Sequence, residues 1–227
     1  MALEVKRVFD QSHGRYGSPR VHKALQQEGF KVSRKRIERL MSEQGLQARV
    51  TKVTRRQPGL KRFKARGENL LLDHGNAIRI NQVWVADVTY LKVKGEWQYL
   101  ATVMDQYSRR ILGWSLSATR TTKLSCDALT YALKKRDYPT GIIFHTDRGS
   151  EYDFKHSLNR AGHCTDNAFM ESFYHSLKGE LIRQTVFKSV GELRRSVSQY
   201  INQFYNTVRL HSGINYLSPI KFEQSLV

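Results

Sequence analysis

Val83-Trp84-Val85-Ala86-Asp87-Val88-Thr89-Tyr90-Leu91 is the stretch on which the reading of the fold turns. It alternates at period two and is rich in β-branched and aromatic side chains, which predicts a strand. Asp87 is the misfit. It shares a face with Val85, Thr89 and Leu91, where a carboxylate is costly to bury unless its charge is compensated. A metal ion is one such compensation. The strand closes on a Lys94-Gly95 turn; Trp97 to Met104 reads as a second strand and Arg110 to Leu116 as a third. The short turns predict an antiparallel meander.

Downstream, Thr121 to Lys135 reads as a helix with Leu124, Ala128, Leu129 and Leu133 on one side. Ile142-Ile143-Phe144-His145-Thr146 is a short apolar strand running into Asp147, and Arg148-Gly149-Ser150 then lets the chain turn. Asp166 is placed to cap a helix reaching about Arg183. Glu171 falls in its first turns, and Lys178, about two turns on, shares the face. A further helix is expected from about Val190 to Tyr205. The fold class is α/β, strands with helices between and after them. Asp87, Asp147 and Glu171, with no clustered His or Cys, suit a hard cation such as Mg²⁺ or Mn²⁺. Two such ions roughly 3.5–4 Å apart clamp the attacking and leaving oxygens of a phosphoryl transfer. Three acids among the chain's 20 would alone read as salt-bridged or turn residues. Their strand, strand-end and helix placement separates them from that background.

Upstream the character changes. The formal charge of the 227-residue chain is +18, and residues 1–66 hold a surplus of 13 of it. A basic end beside a near-neutral body predicts a polyanionic partner, nucleic acid first. Ser18-Pro19 reads as an N-cap followed by proline at the first helical position, with Val21 and Leu25 in the helix and a stop at Gly29. Ser33 caps a second helix carrying Ile37, Leu40 and Met41, ended by Gly45. Two short helices with a tight turn match a helix-turn-helix. Arg34, Lys35, Arg36 and Arg39 surround the apolar stripe of the second, where a recognition helix meets DNA; the alternative is a solvated charged face. Arg49 to Arg66 has eight basic residues, no acid and Pro58-Gly59 in the middle. Arg55, Arg56, Lys61 and Arg62 make it a linker able to track phosphates. The boundaries read as a helix-turn-helix module over 1–48, a basic linker over 49–80, a catalytic core over 81–186 and a C-terminal helix and tail over 187–227.

Two cysteines, Cys126 and Cys164, with no CxxC argue against a zinc module or disulfide framework. There is no membrane-span-length apolar run and no apolar signal-peptide core at the start. A cytoplasmic location follows as the expectation.

Several ordered segments also carry a family resemblance. Trp84-Val85-Ala86-Asp87-Val88-Thr89-Tyr90, Met104-Asp105-Gln106-Tyr107-Ser108-Arg109-Arg110-Ile111-Leu112-Gly113-Trp114, Phe144-His145-Thr146-Asp147-Arg148-Gly149-Ser150-Glu151-Tyr152 and Asp166-Asn167-Ala168-Phe169-Met170-Glu171-Ser172-Phe173 resemble the core of bacterial insertion-sequence transposases. So do Tyr205-Asn206, Arg209, His211, Tyr216 and Ser218-Pro219, and Tyr16-Gly17 through Leu46 resembles their helix-turn-helix. These are the transposases encoded by an element's second reading frame, with a retroviral-integrase-like core. The resemblance implies an RNase H-like fold with a mixed sheet and flanking helices, an Asp87–Asp147–Glu171 triad to hold the pair of Mg²⁺ or Mn²⁺ ions, and Lys178 approaching DNA. It also implies cleavage that frees a 3′-hydroxyl, attack by that hydroxyl on another strand, a homo-oligomer on the DNA, and a first-reading-frame protein or fusion as partner. One departure stands out: the interval from Asp147 to Glu171 is shorter than the family's by about a dozen residues, one average helix. A catalytically impaired DNA-binding remnant is therefore the alternative. Asp105 reads as a turn cap and the three tryptophans as core anchors, while roles for Arg209 and His211 stay open.

Overall fold

The computed structural model describes residues 1–49, 75–146, 155–158 (backbone) and 167–226. The three expected strands form the meander: β1 (Val83–Val93), β2 (Glu96–Asp105) and β3 (Ile111–Ser117). β1 and β2 turn at Lys94 and Gly95, both at positive φ (50° and 90°), the backbone a two-residue hairpin with strand-matched twist requires. Helix α4 (Thr122–Lys135) leads to β4 (Ile143–Thr146) and β5 (Lys155–Leu158). The sheet order is β3-β2-β1-β4-β5, antiparallel among β1 to β3 and parallel across β1-β4-β5. This mixed five-stranded sheet with helices on both faces is an RNase H-like arrangement.

Alternation along β1 divides the core. Trp84 and Ala86 face α4 with Ala101, Val103, Leu124, Ala128 and Phe144. Val85 and Leu91 face the other way, with Leu100 and Met104, onto α5 (Ala168–Glu180) and α6 (Val190–Gln199). α6 continues as a π-helical segment, Tyr200–Tyr205, and α7 (Pro219–Gln224) follows a short 3₁₀ turn. Asn206 fastens this end to β3, accepting from the Ile111 N–H and donating to its carbonyl, both at 2.9 Å.

The N-terminal module contains α1 (Ala2–Gln11), α2 (Ser18–Gln27) and α3 (Arg34–Glu43). It thus has three helices where two were expected. α1 lacks a side-chain cap, the signal that marks a helix start, although Val5 and Val8 are buried at helical spacing. Ser33 caps α3 through the Arg36 N–H as read from the sequence, whereas α2 begins one residue early, with Gly17 rather than Ser18 at the cap. Ser18 instead turns its hydroxyl to Glu38 on α3.

Candidate active site

Among the described residues, β4 pairs with β1 from Val83 to Ala86. The last pair is Ala86 with Thr146, and their successors in the chain are Asp87 and Asp147. Asp147 itself lies outside the described residues, as does Glu151. Asp87 is half-buried, and its Oδ1 accepts the Val88 N–H at 2.7 Å.

Helix α5 is bolted to this point of β1 by two side chains. Asn167, at the helix cap, donates its Nδ2 to the Ala86 carbonyl at 3.1 Å. The Tyr174 hydroxyl reaches the Asp87 carbonyl at 2.5 Å and the Leu100 carbonyl at 3.3 Å, and it lies 2.8 Å from the hydroxyl of Thr102. Thr102 is the cross-strand partner of Asp87. Glu171 sits four residues after Asn167 and three before Tyr174, spacings that share a helix face. The helix face that contacts the Asp87 backbone is therefore the face that carries Glu171, whose side chain is exposed.

Lys178 is on that face too, one turn beyond Tyr174. Its Nζ lies 4.8 Å from the centre of the Tyr90 ring. Burial lowers its pKa, nearby Arg183 adds to the lowering, and the charge of Asp87 opposes it. Lysine and carboxylate are thus electrostatic neighbours. Among the described residues no three Asp, Glu, His or Cys side chains gather into a metal-holding group; only two of the three expected carboxylates are among them.

Of the residues expected at DNA, Arg34, Lys35, Arg36 and Arg39 are all exposed on α3. Arg34 pairs with Glu38 at 2.7 Å and Arg39 with Glu43 at 3.5 Å, exposed pairs that contribute little to stability. Arg55, Arg56, Lys61 and Arg62 lie outside the described residues. Asp105 is a structural cap, accepting from the N–H groups of Asn81, Tyr107 and Ser108 at 2.7, 2.9 and 3.0 Å. Trp84 is fully buried and Trp114 partly so, but Trp97 is 48% exposed, a correction to its reading as a core anchor. Its place beside the β1–β2 turn, second in β2, is the reason.

Arg209 and His211, undecided from sequence, are buried. Arg209 grips Glu180 of α5 at 2.8 Å and the Ser176 hydroxyl at 2.8 Å, and the Tyr200 hydroxyl donates to the same carboxylate at 2.8 Å. Sequence reasoning missed Glu180 and Tyr200, because nothing local distinguishes a buried Glu on a helix face from a solvated one.

An HTH-like domain model matches residues 1–54, and Integrase core domain models match residues 77–164 and 152–219. The chain is 36% identical to the transposase for insertion sequence element IS904 of Lactococcus lactis, over 99% of this chain and 93% of that protein. It is 39% identical to transposase InsF for insertion sequence IS3A of Escherichia coli, over 95% of this chain and 79% of that protein. Among solved structures, a chain of the simian T-cell lymphotropic virus intasome in complex with PP2A regulatory subunit B56 gamma superposes with a TM-score of 0.52 at 11% identity, over 96% of this chain and 74% of that one, a likeness of fold alone. Identity of 36% and 39% along nearly the whole chain, carried on an integrase-type core, means that the chain belongs to the insertion-sequence transposases.

Proposed function

We propose that the chain cuts and joins DNA at the ends of its own element, with Asp87, Asp147 and Glu171 as the catalytic carboxylates. The observation that carries this is the double attachment of α5 to the Ala86–Asp87 backbone, with Glu171 between the two anchors. The donor chemistry fits a hard divalent cation: carboxylate oxygens, one half-buried and one exposed, with Lys178 alongside. Asp87, Asp147 and Glu171 would hold Mg²⁺ or Mn²⁺, as a pair. Bound there, such ions supply charge stabilisation to the attacking and leaving oxygens of an in-line displacement. The protein's own contribution is positional. Asn167 and Tyr174 fix the helix on the strand, and Lys178 offers a cation to a phosphate beside Asp87. Arg34, Lys35, Arg36 and Arg39 on α3, with Arg55, Arg56, Lys61 and Arg62 of the linker, hold the duplex. Joining two ends requires both to be held at once, so the working form is a homo-oligomer on DNA, with a first-reading-frame protein or fusion as a further partner. No described helix is long and apolar enough to cross a membrane.

The test is Asp87→Asn. Strand transfer with pre-cut element ends falls at least ~10³-fold, while binding of the same ends in a mobility-shift assay is unchanged. Transfer at the wild-type rate would remove Asp87 from the chemistry.

One observation favours a second reading, a DNA-binding remnant. β4 and β5 are parallel neighbours joined only by residues 147–154. A parallel connection normally takes a dozen or more residues, usually including a helix. The alignment to the IS904 transposase, spanning 236 positions against this chain of 227, also supports a shortening. The remnant binds ends with steep salt dependence and does not nick them in Mg²⁺ or Mn²⁺; nicking by the wild-type chain excludes it.

A further inference from the structure

We infer that the exposed Tyr90–Trp97 pair on the β1–β2 hairpin is a stacking platform for an unpaired nucleobase of the DNA strand held at Asp87. This deepens the reading above and rests on it.

Tyr90 is 58% exposed and Trp97 48% exposed, on a sheet whose other large apolar side chains are mostly covered. The rings pack against each other, centroids 5.2 Å apart and planes at 87°. Lys92 pairs with Trp97 across the hairpin and Tyr90 with Tyr99, so the two rings are diagonal neighbours held by strand register. Holding each other fixes the rings before any ligand arrives, which lowers the ordering cost of binding.

Two cations flank the pair. Lys92 Nζ lies 5.3 Å from the Trp97 ring centre and Lys178 Nζ 4.8 Å from that of Tyr90. Lys178 projects from the same face of α5 as Tyr174, which is bonded to the Asp87 carbonyl. Tyr90 is three residues along β1 from Asp87, about 10 Å at strand rise, and the odd spacing sets its ring on the other face of the strand. Lys178 bridges the two, its Nζ 4.8 Å from the Tyr90 ring and close enough to Asp87 to feel its charge, so a DNA strand with its scissile phosphate at Asp87 and a neighbouring phosphate on Lys178 is led past β1 to the rings. Aromatic faces beside lysines are the chemistry by which proteins hold single-stranded nucleic acid without reading its sequence. Duplex stacking hides base faces, so the occupant is a base freed by fraying of the cut end.

The test uses Asp87→Asn protein, in which turnover is blocked, with intact element-end duplex and with the same duplex mismatched at its last base pairs. The mismatched end quenches tryptophan fluorescence, and Trp97→Phe in the same background loses the quench. Trp97→Ala and Tyr90→Ala each weaken binding of the mismatched end about 10- to 100-fold, and the salt dependence keeps its slope because no phosphate contact is removed. Wild-type affinity in both alanine variants, with no quench, overturns the platform and leaves the transposase reading standing. Failure of the parent protein to bind element ends at all overturns that reading instead. DNA-free self-association abolished by Trp97→Ala would assign the rings to a second copy of the chain and overturn the nucleobase proposal.

Discussion

The Tyr174 hydroxyl meets three partners, the carbonyls of Asp87 and Leu100 and the hydroxyl of Thr102, and it joins the two strands and the helix around the candidate site. Tyr174→Phe keeps the ring and removes only these contacts. It should cost about 1–3 kcal/mol in urea unfolding, because buried polar partners lose their donor. Strand transfer should fall further than stability alone explains, since the helix carrying Glu171 loses one of its two attachments to β1. Stability and transfer rates both equal to wild type would show that the hydroxyl has no positioning role. Asp87 was legible in the sequence because a carboxylate in an apolar strand is locally conspicuous. Glu171 stood out only beside a motif. Tyr174, Asn167 and Thr102 were silent, since their roles exist only across separations of 72 residues or more, such as Tyr174 to Thr102. Trp97 misled, because size and apolarity predict burial on average while hairpin ends offer nothing to be buried under.

At the scale of elements, the meander and the helix that follows it were readable, because alternation and a two-residue turn leave few other arrangements. β5 was not: four residues after so short a link carry too little pattern to separate strand from loop. Nor could the sequence reveal how closely β3 and α4 approach. A Cβ on Gly113 would stand 2.0 Å from the Ala128 carbonyl oxygen and 2.7 Å from the Ala132 nitrogen. Both are backbone atoms of α4, so no side-chain adjustment relieves the clash. Gly113→Ala should destabilise the fold by about 3 kcal/mol or more, the upper range for overpacking. Thermal denaturation measures it; an unchanged midpoint would mean that α4 does not sit this close to the sheet.

Over the whole molecule, the N-terminal helices are docked rather than tethered. Tyr16 donates to the Val208 carbonyl at 3.1 Å and accepts the Leu210 N–H at 2.9 Å, and Arg20 donates to the Leu210 carbonyl at 3.0 Å. Arg20 also lies 3.8 Å from Glu180, so one buried carboxylate on the Glu171 helix links the N-terminal module and the C-terminal segment. The sequence reading had these as separate stretches, since buried long-range polar contacts leave no periodic trace. His211 belongs to this junction, and burial together with Arg209 and Arg20 holds its pKa well below the usual imidazole range. The unfolded chain therefore binds more protons there below about pH 6.5, so stability is full above that pH and declines as the pH falls. His211→Gln should flatten the urea-midpoint profile between about pH 6.5 and 5; an unaltered slope would place the linkage elsewhere. The central claim is that three carboxylates remote in sequence form one cation site. Its most direct test is Mn²⁺ binding, followed by electron paramagnetic resonance, to the wild-type chain and to Asp87→Asn, Asp147→Asn and Glu171→Gln. The account predicts that each substitution weakens binding by at least ~10-fold; undiminished Mn²⁺ binding by Glu171→Gln would contradict it.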